Sequence, residues 1–380
     1  MKPSPRPSIA KLAPYVPGRP IEEVEREYGI TGAVKLASNE NPLGPSPKGV
    51  AAAVAAASGV NFYPDGSATY LRRALSSRFG FPSEQVVIGS GSSELIDLCM
   101  RAFVDPGDEV VVPQGIFRMF PVAVGRAGGT VVEVPTKPGH VPDLDALKRR
   151  IGPATKVVAI ANPNNPTGAY VPRAELERFF EGLPEHVVAV VDEAYHEFAR
   201  EVADYPNALD ELRKGRNVLV LRTFSKAYGL AGFRIGYGFS TPEIAAAINK
   251  VREPFNTTVV AQVAAIAALD DDEHCERTVS LVRTERAFLA AELARRQAVV
   301  SPSLGNFLLV ELPIPFGPLE PEFARRGVIL RPMGGWGFPL AFRVSIGTHE
   351  ENLRFLAAFD DLLAAGKLGL PAAAVPVGAG

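Results

Sequence analysis

Asn217-Val-Leu-Val-Leu-Arg222-Thr-Phe-Ser-Lys226-Ala-Tyr-Gly-Leu-Ala-Gly-Phe-Arg234 runs from an apolar strand straight into a polar loop that carries one lysine. Its centre, Val218 to Leu221, is apolar at every position, as in a strand of a parallel sheet buried on both faces. Lys226 therefore stands just past the end of a buried strand, where open α/β sheets bind their ligands. By frequency of burial a lone lysine there is a solvated loop residue. Its neighbours argue otherwise. Thr223 and Ser225 bring two hydroxyls, and Arg234 a guanidinium, into one short loop, a donor set suited to a dianionic phosphate. Arg234 by itself would serve equally well to pair a carboxylate.

Six further runs read as strands of the same kind, at 85–89, 109–113, 130–135, 156–161, 187–191 and 234–239. Helical patterns at 92–103, 144–151 and 173–181 lie between them, the alternation expected of βαβ units. The sequence thus predicts an α/β fold with a mostly parallel, helix-covered, seven-stranded sheet. After Glu253-Pro254-Phe255 the pattern changes to long helices near 259–269 and 273–296, short strands near 307–311, 328–331 and 342–346, and a last helix from Glu350. That is the pattern of a smaller α+β domain. We expect an N-terminal arm over 1–45 serving the small domain and an interface, a large cofactor-binding domain over 46–255, a small domain over 256–368, and a disordered tail over 369–380.

Other strand ends carry chemistry too. Asp192 closes its strand and is followed by Glu193-Ala194-Tyr195. Asp is a favoured helix N-cap, but a carboxylate beside a pyridine nitrogen keeps it protonated and makes the ring an electron sink. Tyr195 either donates to a ring oxygen or packs. Asn162-Pro-Asn-Asn165-Pro-Thr-Gly168 is a fixed turn after a third strand, so that Asn165, Asp192 and Lys226 can converge. Gly89-Ser-Gly-Ser92-Ser93-Glu94 leads from a strand into a helix, and free N–H groups at a helix start bind phosphate. A dinucleotide would want a longer glycine fingerprint, and Glu94 sits awkwardly for a pyrophosphate.

Composition narrows the partners. A formal charge of −2 over 380 residues leaves no basic face for nucleic acid. No stretch is long and apolar enough to span a bilayer, and prolines occupy the N-terminus where a signal peptide would be apolar, so we expect a cytoplasmic protein without membrane partners. Two cysteines outside any CxxC pair and five scattered histidines predict no metal site.

In order, Gly89–Glu94, Asn162–Gly168, Asp192–Tyr195 and Thr223–Arg234 resemble the motifs of the fold-type I aminotransferases. Within them the chain is most similar to the histidinol-phosphate aminotransferases, through Pro14–Pro20, Leu36–Gly44, Tyr63-Pro-Asp-Gly66 and Arg343–Thr348. The resemblance spans about Pro14 to Leu363. It implies pyridoxal 5'-phosphate as cofactor, with Lys226 as its covalent anchor and general base. Asp192 pairs with the pyridine nitrogen, and Asn165 and Tyr195 with the phenolic oxygen. Thr223, Ser225, Arg234 and the backbone of Ser92 and Ser93 hold the phosphate, joined by Tyr63 of the partner subunit in a homodimer. Arg343 clamps the substrate carboxylate; Arg331, Tyr15 and Asn39 are further substrate candidates, Arg331 and Tyr15 for a distal phosphate.

The sequence departs from the family pattern twice. Pro113–Phe120 ends in phenylalanine where tyrosine is usual, and we assign the ring stacked on the cofactor to Phe117, with Phe120 in the tyrosine's place. Ser93 stands where aspartate is common. The expected reaction is transamination between amino acids and 2-oxo acids, with histidinol phosphate and 2-oxoglutarate giving imidazole-acetol phosphate and glutamate. The alternatives are an aromatic amino-acid aminotransferase, with Trp336, Phe338 and Phe342 as apolar walls, and a phospho-amino-acid decarboxylase of the same fold. A cofactor-binding sensor without catalysis is disfavoured by the absence of a basic helix-turn-helix before residue 40.

Overall fold

The structure is a computed structural model that describes residues 3–10, 12 and 18–371. Tyr15 and nearly all of the tail expected over 369–380 lie outside the described residues.

Seven strands form the large sheet in the order Val86–Gly89, Gly236–Phe239, Val218–Thr223, Val188–Asp192, Thr155–Ala161, Glu109–Pro113, Thr130–Val134. Gly236–Phe239 runs antiparallel to both neighbours, and the other pairings are parallel. The central strands are buried along their whole length because helices cover both faces. Alternate side chains enter separate cores. Ala189, Val191, Val218 and Val220 face one, while Val188, Val190, Leu219 and Leu221 face the other with the helix Ser92–Phe103. Each parallel strand therefore delivers its C-terminal end to the same edge.

The predicted strand at 234–239 begins later, at Gly236, because Arg234 takes left-handed backbone (φ 55°) after a short 3₁₀ turn, Ala231–Phe233. The single strand expected at 328–331 is two. Val328–Ile329 pairs with Val34–Lys35, whereas Arg331–Pro332 pairs with Ala341–Ser345, so the chain changes sheets at Leu330.

The smaller antiparallel sheet has the order Arg331–Pro332, Ala341–Ser345, Phe307–Glu311, Val299–Val300. Behind it Phe316, Phe323, Phe342, Phe355 and Phe359 pack ring to ring, with Phe316 and Phe342 stacked at 4.6 Å. The covering helix His349–Ala364 starts at a capping box: the Thr348 hydroxyl accepts from the Glu351 N–H, and the Glu351 carboxylate accepts from the Thr348 N–H. The helix Val259–Leu269 packs on Pro47–Ala56 and Thr69–Phe79, beside the large sheet.

Candidate active site

Register brings the strand ends together. Ala161 lies opposite Asp192, and Asp192 opposite Leu221, so three C-terminal ends stand side by side at the strand spacing of about 4.8 Å. Over them opens a cavity of about 240 Å³. Ser92, Ser93, Phe117, Asn165, Asp192, Tyr195, Thr223, Ser225, Lys226 and Arg234 all line it. Ten residues singled out in the sequence, spread over some 140 positions, thus share one wall.

Lys226 directs Nζ at the backbone carbonyls of Asn39 (3.2 Å) and Ser38 (3.3 Å). Burial lowers its pKa to about 8; the Arg343 and Arg234 charges act the same way, while Glu40 and Asp192 oppose them. Asp192 is buried and accepts the Ala194 N–H at 3.1 Å. Burial holds this carboxyl up at about 7, with Glu193 adding to the rise and Lys226 opposing it. A carboxyl so placed gains most from a cation brought to it, such as a protonated ring nitrogen.

Asn165 accepts from Arg343 Nη1 at 2.5 Å through Oδ1, which turns its amide nitrogen into the donor side of the group. Tyr195 accepts from Asn39 Nδ2 at 2.9 Å and stands edge-on to Phe307. Both groups are held by neighbours from the smaller sheet or the N-terminal segment, beyond the reach of local sequence reading.

The opposite end of the cavity is an anion cradle. The helix Ser92–Phe103 starts at Gly91 (φ 78°, ψ 166°), which supplies no side-chain cap, so its first N–H groups face the cavity. A Cβ at Gly91 would lie 2.5 Å from Arg234 Nη2, and one at Gly236 would lie 2.5 Å from the Ser92 nitrogen. The Thr223 hydroxyl donates to Ser225 Oγ at 3.0 Å, and Arg234 is steadied by the Ala231 carbonyl at 2.9 Å. Glu94 turns back to accept the Ser90 N–H and the Asn256 amide, both at 2.6 Å. The donors fit a single phosphate, and the buried carboxylate, lysine and amide fit the ring of the expected cofactor.

Phe117 lines the cavity, while Phe120 is fully buried in the core. Of the two rings only Phe117 reaches the cavity. Arg343 is buried and reaches the site through Asn165, with Nη2 donating to the Ala37 carbonyl at 2.7 Å. Arg331 lies directly opposite Arg343 in the antiparallel pair, hence on the same face, with its guanidinium over Trp336 at 5.1 Å. Phe338 sits over Gly115, but Phe342 belongs to the aromatic core and forms no pocket wall. Tyr63 is away from the cavity, 82% exposed and stacked on Phe255 at 4.6 Å. Sequence reading missed Ser38 and Glu40, which line the cavity. Ser38 contributes a carbonyl, which no side-chain pattern announces.

A family model described as aminotransferase class I and II matches residues 31–359. The histidinol-phosphate aminotransferase of Anaeromyxobacter sp. (strain Fw109-5) is 48% identical over 360 residues, 94% of this chain and 99% of that protein. Histidinol-phosphate aminotransferase 2 of Carboxydothermus hydrogenoformans is 44% identical over 351 residues, 92% of this chain and 97% of that one. Among solved structures, the histidinol-phosphate aminotransferase of Sinorhizobium meliloti in complex with pyridoxal-5'-phosphate superposes with a TM-score of 0.86 at 31% identity, covering 94% of this chain and 97% of that one.

Proposed function

The chain belongs to the class I and II aminotransferases, and from that premise we propose that it transfers the amino group of histidinol phosphate to 2-oxoglutarate, giving imidazole-acetol phosphate and glutamate, in the cytoplasm. The observation that carries this reading is the convergence of Asn165, Asp192 and Lys226 beside the anion cradle. The likeness to relatives of that name over nearly their full length supports the substrate.

Pyridoxal phosphate, when bound, supplies a conjugated ring that withdraws electrons from a bond at the substrate Cα and stores the amino group between two substrates. In this reading the Ser92 and Ser93 N–H groups, Thr223, Ser225 and Arg234 hold the phosphate. Asp192 keeps a proton on the ring nitrogen, and the Asn165 amide and Tyr195 hydroxyl hold the ring oxygen. Phe117 shields one face of the ring. Lys226 anchors the cofactor and, once displaced, moves the proton at the substrate Cα. Arg343 receives the carboxylate of glutamate or 2-oxoglutarate, and Arg331, on the same face, receives the distal phosphate, with Asn39 and Tyr15 completing the substrate side.

With 2-oxoglutarate as acceptor, kcat/KM for histidinol phosphate should exceed that for phenylalanine. Arg331→Ala should lower the first by about 30-fold, the loss of a charge-assisted contact worth about 2 kcal/mol, and leave the second nearly unchanged. The reverse donor order would move the assignment to the aromatic aminotransferases. Equal losses on both donors would remove Arg331 from phosphate recognition.

A homodimer is the second part of the proposal. Val60, Phe62 and Tyr63 are exposed beside Phe255, an apolar face of the kind that a second copy covers. Docking there brings Tyr63 of each subunit to the other's cofactor phosphate. Sedimentation at micromolar concentration should give twice the chain mass, and Phe62→Asp should give monomers; a monomeric parent chain would contradict the arrangement.

A further inference from the structure

Side chains alternate across a strand, so each residue lining the cavity at a strand end has a neighbour aimed at the opposite face of the sheet. Ala161, Asp192 and Thr223 line the cavity, and their neighbours Asn162, Glu193 and Arg222 are polar and almost wholly buried. Arg222 donates Nε and Nη2 to Glu193 Oε2 at 2.9 and 2.7 Å, and Nη2 also donates to Asn207 Oδ1 at 2.9 Å. The other Glu193 oxygen accepts the Ala208 N–H at 2.8 Å. Nη2 also faces His196 Nδ1 at 3.3 Å; burial first, then the Arg222 and Arg200 charges, drive the His196 pKa well below its usual value, so this ring is a neutral acceptor. Tyr205 donates its hydroxyl to the Asn162 carbonyl at 2.7 Å, and the Asn162 side chain exchanges hydrogen bonds with the Val171 backbone. These groups lie behind the three strand ends: hydrogen bonds join Arg222, Glu193, Asn207 and His196, and the His196 ring meets the Tyr205 ring at 5.8 Å.

We infer that this cluster, centred on the Arg222–Glu193 ion pair, is a positioning device that sets the spacing of Asn165, Asp192 and Thr223 from behind the sheet. For stability alone, apolar residues of the same volume would serve as well or better, because a buried ion pair pays a large desolvation cost. What the pair adds is direction. A forked guanidinium on one strand locks the next strand end at one distance, and an error of about 1 Å among groups around a reacting centre can cost about a hundredfold in rate. Arg222, Glu193 and Tyr205 do not line the cavity, so they act through the residues they hold.

The inference rests on the cofactor site proposed above. Glu193→Gln and Arg222→Met, prepared as holoenzymes, should each raise the dissociation constant for pyridoxal phosphate by about tenfold or more. They should lower kcat by a similar factor while KM for 2-oxoglutarate changes by less than about threefold. Tyr205→Phe, which removes one hydroxyl and leaves the ion pair, should shift both constants in the same direction by about threefold. It keeps the test in force if Arg222→Met fails to fold. Variants that melt earlier but keep the parent's cofactor affinity and kcat within about twofold would overturn the positioning role. A parent chain that takes up no pyridoxal phosphate would overturn the cofactor reading instead, a result distinct from the first.

Discussion

Lys226→Ala should abolish the visible absorbance of the reconstituted protein and lower turnover by about 10⁴-fold, the upper range of what one general base contributes. Among the described residues no other lysine lines the cavity, so no described neighbour takes over the proton transfer. The same residue sets a pH dependence. Its pKa is lowered to about 8 by burial and by the Arg343 and Arg234 charges, and the neutral amine is the attacking form. Uptake of pyridoxal phosphate by the cofactor-free chain should therefore quicken as pH rises and level off above about 8. An ordinary lysine would go on quickening until above pH 10. Stopped-flow absorbance from pH 6.5 to 9.5 separates the two, and a variant that keeps more than about a tenth of the parent turnover would remove Lys226 from the chemistry.

Asp192→Asn keeps the shape of the side chain and deletes its charge. With no carboxylate to hold a proton on the ring nitrogen, kcat should fall by about 10²–10³-fold, the size of effect seen when one preorganised electrostatic group is removed. Stability of the cofactor-free chain should move the other way. Burial raises the folded pKa of Asp192 to about 7, above the unfolded value of about 3.9. The folded state then binds the extra proton between those values, stability falls as pH rises through that window, and the whole penalty is present at pH 8. Asparagine never ionises, so the variant should unfold at higher urea than the parent at pH 8 and differ less at pH 5. A variant both inactive and less stable at pH 8 would mean that Asp192 acts through packing.

The large sheet was readable because its strands are apolar on both faces, a run short enough at Val218–Leu221 or 157–160 to leave little doubt of type. Strand ends were readable for the same reason, and with them the motifs at Asn165, Asp192 and Lys226. Their adjacency was not, since it depends on strand order: Thr155–Ala161, Val188–Asp192 and Val218–Thr223 are consecutive in space as well as in sequence. The change of sheet at Leu330 escaped because both halves are apolar or strand-prone, and their partners, Val34–Lys35 and Ala341–Ser345, lie far off in the chain. The carbonyls of Ser38 and Asn39 around Lys226 escaped because backbone acceptors carry no residue signature. Of the buried Arg222–Glu193 pair, Glu193 lies inside one motif and Arg222 directly before another, yet only alternation across a known strand shows that the pair faces away from the cavity.

Reduction of the cofactor-loaded protein with borohydride, followed by proteolysis and mass spectrometry, tests the anchoring residue most directly. One phosphopyridoxyl group per chain on the peptide containing Lys226 is the expected result. Stoichiometric label on any other lysine, or none at all after saturation with pyridoxal phosphate, would contradict it.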